Sequence, residues 1–103
     1  MGRNSDHSKY IEDLLKHPYK LGIDNVIMSA SEVNLFKRGQ MVAQPDLMFL
    51  DKYKNLFVVE YKCNDHRQQA TAQLQVTETF LYDALGIPIK KIYAYGNNYH
   101  EEL

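Results

Sequence analysis

Residues 44–62 read QPDLMFLDKYKNLFVVEYK, two apolar runs, LMFL and LFVV, joined by the polar segment DKYKN and edged by charged groups. Short apolar runs bounded by polar residues are the pattern of buried strands, and so short a connection makes a hairpin. The pattern predicts strands over 47–50 and 56–61. Alternate side chains of a strand share a face, so Val58, Glu60 and Lys62 point one way and Phe57, Val59 and Tyr61 the other. An antiparallel hairpin sets the start of its first strand against the end of its second, which brings Asp46 beside Glu60 on that face.

Working outward, Tyr10, Ile11, Leu14 and Leu15 recur at helical spacing in 8–16, with Ser5, Asp6 or Ser8 to cap the start and Pro18 beyond the end. Residues 25–28 and 33–36 suggest one or two strands with a turn near Gly39. From about 65 to 85 the period becomes helical, with Ala70, Leu74, Thr77, Leu81 and Leu85 on one face and Gly86 and Pro88 as stops. A last strand is predicted over 89–95, followed by GNNYHEEL as a frayed or loosely docked tail. The order α-β-β-β-α-β over a single domain, 1–103, predicts an α/β fold. An antiparallel meander and a parallel crossover strand would form one mixed sheet flanked by helices.

With 45% hydrophobic and 24% charged residues, the 103-residue chain has the composition of a folded globular domain. No apolar run is long enough to span a bilayer and the first residues lack the apolar core of a secretory signal, so a cytoplasmic protein is expected. Cys63 stands alone, and His7, His17, His66 and His100 show no zinc-ligand spacing. A formal net charge of −1 offers no bulk attraction for nucleic acid.

Two adjacent carboxylates raise one another's pKa unless a cation neutralises them. Hard divalent ions take carboxylate, carbonyl and water oxygens, and Mg2+ binds through one or two protein carboxylates plus substrate phosphate. Asp46, Glu60 and the Tyr61 carbonyl would supply such a half-filled shell for Mg2+ or Mn2+, with Lys62 placed to hold an attacking water. The same residues admit a plainer reading: a turn cap at Asp46 and an exposed charge ladder at Glu60 and Lys62.

Pro45-Asp46, thirteen intervening residues and Glu60-Tyr61-Lys62 resemble the PD-(D/E)XK motif of the restriction-endonuclease-like nuclease superfamily. The predicted element order is similar to its core, and the resemblance covers about residues 8–95. It implies a metal-dependent DNA endonuclease with Asp46 and Glu60 as metal ligands and Lys62 as the catalytic lysine. It also implies an acidic residue from the first helix, matched by Glu12, and a glutamine from the helix after the motif, matched by Gln69 or Gln73. Small size and Arg3 ahead of the first helix look most like archaeal Holliday-junction resolvases, while the glutamine-bearing helix is equally similar to the exonuclease-like branch of the superfamily. The resemblance thus implies catalytic Asp46, Glu60, Lys62 and Gln73, a cation held by Asp46, Glu60, Tyr61 and Glu12, and branched DNA as substrate. A domain this small offers little surface for a duplex, so a homodimer is expected. The alternative is a catalytically silent nuclease-like fold that binds DNA or serves assembly.

Overall fold

The computed structural model describes residues 5–103; Arg3 lies outside them. Helix α1, Ser5–Lys16, starts one turn before the predicted helix and ends where Pro18 forces His17 out of the helical region. A single 3-10 turn, Pro18–Leu21, closes on Gly22 at φ 74°, a left-handed position that suits glycine. Seven strands and a second helix follow: β1 Val26–Ser31, β2 Leu35–Lys37, β3 Gln40–Ala43, β4 Leu47–Asp51, β5 Leu56–Lys62, α2 Arg67–Leu85, β6 Lys90–Tyr95 and β7 Tyr99–Glu102.

The result is a mixed α/β fold with one five-stranded sheet in the order β1-β4-β5-β6-β7. β1, β4 and β5 are mutually antiparallel, β6 runs parallel to β5 after the α2 crossover, and β7 returns antiparallel along the far edge. The β4–β5 hairpin is held by its own first turn residue. The Asp51 carboxylate accepts the Tyr53 and Asn55 N–H groups at 2.9 Å and the Asn55 side-chain amide at 2.9 Å. These bonds, led by that from the Asn55 side chain, hold its pKa below the usual carboxylate value.

β2 and β3 form a separate hairpin off the sheet. Its two-residue turn, Arg38-Gly39, has φ 53° and 79°, and two positive φ values in a two-residue loop match the right-handed twist of the strands they join.

Each sheet face is covered by one helix. Ile11 and Leu14 of α1 pack with Leu47, Phe49, Val59 and Ile92 on one side, and Leu74 and Leu81 of α2 pack with Val58 on the other. The predicted inward face of α2 is buried at Ala70, Leu74, Thr77 and Leu81, but Leu85 is exposed because the helix has passed the sheet by its last turn. The expected frayed tail is instead β7. Its residues pair with β6 from Ile92↔Glu102 to Tyr95↔Tyr99, the Leu103 N–H donates to the Lys91 carbonyl at 2.8 Å, and Leu103 packs against the α2-side core. No helix among the described residues is long and apolar enough to cross a membrane.

Candidate active site

The β4–β5 register pairs Leu47 with Val59, so the residue before β4, Asp46, falls opposite Glu60. Three restraints fix it there. Pro45 is fully buried, the Glu32 N–H donates to the Asp46 carbonyl at 2.9 Å, and the Tyr61 N–H donates to Asp46 Oδ2 at 2.8 Å. In a strand the N–H and C=O of one residue point to the same edge, so the Tyr61 carbonyl also looks toward the Asp46 side of β5.

Asp46, Glu60 and Lys62 line one cleft of about 370 Å3, together with His7, Gln44, Tyr61, Cys63, Asn64, His66 and Gln73. The cleft lies on the α2 face of the sheet, because Val58, two residues before Glu60 on the same face, packs against Leu74.

The electrostatics of the pair are those of carboxyls lacking a counter-ion. Glu60 is 4% exposed, and burial, with the Asp46 charge second, pushes its pKa up to about 8. Burial also raises Asp46, although the Tyr61 N–H, His7, Lys62 and contact with Glu60 each pull it back down. Lys62 stabilises both anions from a distance and makes no direct ion pair among the described residues. A proton or a cation must therefore compensate this pair at neutral pH.

The chain matches no protein-family model, and neither the curated proteins nor the solved structures give a match. What the cleft can do follows from its own chemistry. Among the described residues no three His, Cys, Asp or Glu side chains converge as a metal-holding group. The donor set fits a hard divalent cation that takes two protein carboxylates and fills its shell with water and phosphate oxygen, as Mg2+ does.

Of the helix-borne candidates, Gln73 lines the cleft, whereas Gln69, one turn earlier on α2, lines a separate depression with residues 65–68. Glu12 is exposed on α1 and lines no part of the cleft. The α1 residue that reaches the site is His7, its Nε2 3.7 Å from Asp46 Oδ1 and its ring 5.7 Å from that of Tyr61. Besides the motif residues and Gln73, the cleft is lined by His7, Gln44, Cys63, Asn64 and His66. The signal for His7 was present: it stands three, four and seven residues before Tyr10, Ile11 and Leu14, on the same helical stripe. Gln44 precedes Pro45 at the end of β3, and nothing in its sequence neighbourhood marks it.

His66 also lines the cleft. Its N–H donates to the Tyr93 hydroxyl at 2.8 Å, and that hydroxyl donates to Asp65 Oδ1 at 2.7 Å, tying the start of α2 to β6.

Proposed function

We propose that the chain is a Mg2+- or Mn2+-dependent deoxyribonuclease, an endonuclease that hydrolyses DNA phosphodiester bonds, with branched DNA as the favoured substrate. The observation that carries this reading is the buried Asp46–Glu60 pair held beside Lys62 in an open cleft. The resemblance of Pro45-Asp46 and Glu60-Tyr61-Lys62 to the PD-(D/E)XK motif supports it, as does the helix, antiparallel meander, helix and parallel strand that carry these residues.

Asp46, Glu60 and the Tyr61 carbonyl would hold the cation, which supplies positive charge against the scissile phosphate. The chain's own groups do the rest. Lys62 holds the attacking water by hydrogen bonding and favours its deprotonation by charge, and the Gln73 amide orients water or phosphate oxygen within the cleft. A P–O bond forms to the water oxygen as the P–O bond to the leaving sugar oxygen breaks; the proton lost from the attacking water passes to solvent, and the leaving sugar oxygen takes up a proton from solvent to become a hydroxyl. His7, facing Asp46, is one of the groups that offset the upward push of burial on that carboxyl.

Labelled single-stranded, duplex, flap and four-way-junction DNAs, incubated with EDTA, Mg2+ or Mn2+, test the reading. Metal-dependent cutting that is lost in Asp46→Ala, Glu60→Ala and Lys62→Ala is the expected result; full activity in all three variants overturns it. The second reading, a silent DNA-binding or assembly module, is favoured by the two-carboxylate donor set and the near-neutral charge. Metal-independent DNA binding with no cleavage under any divalent ion selects it.

A further inference from the structure

Seen from the cleft, Lys62 is the start of a row that crosses the sheet. It pairs with Tyr95 of β6, and Tyr95 pairs with Tyr99 of β7, so the three side chains stand on one face at successive strand positions. The Tyr95 and Tyr99 rings lie 4.8 Å apart, tilted by 33°, and Tyr93 stacks on Tyr95 at 5.7 Å and 29°. The three rings have different duties. Tyr93 is fully buried and its hydroxyl is consumed by His66 and Asp65. Tyr95 is half-buried, and Tyr99 is 44% exposed on an edge strand, where packing gains it little.

The charges around this row are as informative as the rings. The cleft wall carries one lysine against two carboxyls. Among the described residues a further cation, Arg67 at the head of α2, is bonded through Nε to Glu101 at 2.6 Å. Duplex DNA is gripped chiefly by neutralising phosphates on both strands, and this rim cannot do that. Stacking on an exposed aromatic face supplies about 1–3 kcal/mol per base, and a base still paired inside a duplex has no free face to offer it.

We infer that the Tyr95–Tyr99 stack is a platform for an unpaired nucleobase adjacent to the scissile phosphate, so that the site takes single-stranded or frayed DNA. Two strand spacings separate Lys62 from Tyr99, roughly 10 Å, which suits the base of the nucleotide next to a phosphate held in the cleft. The inference rests on the nuclease reading and narrows its substrate: at a branch, the strand cut is one whose bases are splayed out of the duplex.

The chain has eight tyrosines and no tryptophan, so its intrinsic emission is tyrosine emission to which these rings contribute, and the share of Tyr99 is read by comparison with Tyr99→Phe. The test titrates the intact protein in EDTA with a ten-nucleotide oligo-dT and with a blunt hairpin duplex, following tyrosine quenching and the anisotropy of a label on the DNA. Expected are tighter binding of oligo-dT than of duplex, quenching on binding, and a 5- to 100-fold loss of oligo-dT affinity in Tyr99→Ala that Tyr99→Phe restores. Circular dichroism of Tyr99→Ala checks that the edge strand still folds; if it does not, native quenching and the affinity of Tyr99→Phe and Tyr99→Leu decide, with Leu binding as tightly as Phe counting against stacking. Oligo-dT binding without quenching, equal affinity in native and Tyr99→Ala, or preference for the duplex overturns the platform. Cleavage of the same DNAs by the same proteins, with Mg2+ or Mn2+ in place of EDTA, separates the two ideas. Cleavage that persists with no effect at Tyr99 removes the platform alone, whereas Tyr99-dependent binding without cleavage under any divalent ion removes the nuclease reading alone.

Discussion

At the scale of single residues, Glu60 makes the clearest demand. Its carboxyl titrates at about 8 in the folded chain, against 4.5 for an ordinary glutamate. A raised folded pKa favours the folded state while the group is protonated in both states, so this contribution is complete below about pH 4.5 and is lost as pH rises toward 8. Thermal unfolding in EDTA is expected to show the native chain losing stability from pH 5 to pH 8, and Glu60→Gln losing markedly less. An equal loss in both would mean that Glu60 is not the buried acid described. Protons and a divalent cation compete for the same two oxygens, so Mg2+ is expected to raise the melting temperature more at pH 8 than at pH 6. That increment should vanish in Asp46→Asn and Glu60→Gln; an unchanged increment would place the cation elsewhere.

The core of this site was legible because a strand has a period of two and a hairpin fixes register, so 46, 60 and 62 fall together by counting. Glu12 does not line the cleft, for the complementary reason. A position chosen by its location on a helix says nothing about rotation, and Glu12 lies about 140° around the helix from His7, whose stripe faces the sheet.

At the scale of elements, α2 bears the most weight, since it covers one sheet face and carries Gln73. Leu74→Ala, at a fully buried position, is expected to cost about 2–5 kcal/mol in denaturant unfolding. A value under 1 kcal/mol would show that the α2 face is loosely packed. The start of the helix depends on one hydroxyl. Tyr93→Phe strips the partner from the His66 N–H and from Asp65 and is expected to cost about 1–3 kcal/mol. Faster amide exchange at 66–70 with the rest of the chain unchanged would localise the loss to the first turn; uniformly faster exchange would contradict that local role.

The end of α2 was readable from Gly86, which sits at φ 68° and donates its N–H to the Tyr82 carbonyl at 2.8 Å. β7 was not readable, because YHEE lacks apolar alternation. As an edge strand it is held by one ladder, by Arg67 on Glu101 and by Leu103 in the core. The ladder is local, but Arg67 and the core residues that Leu103 meets lie far away in sequence. The β2–β3 hairpin was half legible for the same kind of reason: Gly39 marked the turn, but what the strands pack on is settled by α2.

At the scale of the whole molecule, the proposed nuclease carries a requirement: one cleft on a 103-residue domain would reach one strand of a duplex, and cutting both strands of a branch would call for two copies. The surface beside the cleft suits such an arrangement. Phe36 and Val42 of the hairpin face Val76 and Phe80 of α2 across a groove of about 670 Å3, with Phe36 55% and Val76 49% exposed. Val42 and Val76 also line a depression shared with Glu60 and Gln73, so the apolar groove adjoins the candidate cleft. Two copies joined there would bring their sites close together, and a net charge of −1 sets little repulsion against the contact. Light scattering at micromolar concentration is expected to give twice the 12.0 kDa chain mass. A charge placed in the apolar contact should separate the copies, so Phe36→Glu is expected to halve the measured mass while the circular dichroism spectrum and nicking of a single strand are retained. Paired cuts across a junction should fall in that variant far more than single nicks. A native chain that scatters only as a monomer, or a Phe36→Glu variant that still dimerises, would show that the hairpin groove is not where two copies meet.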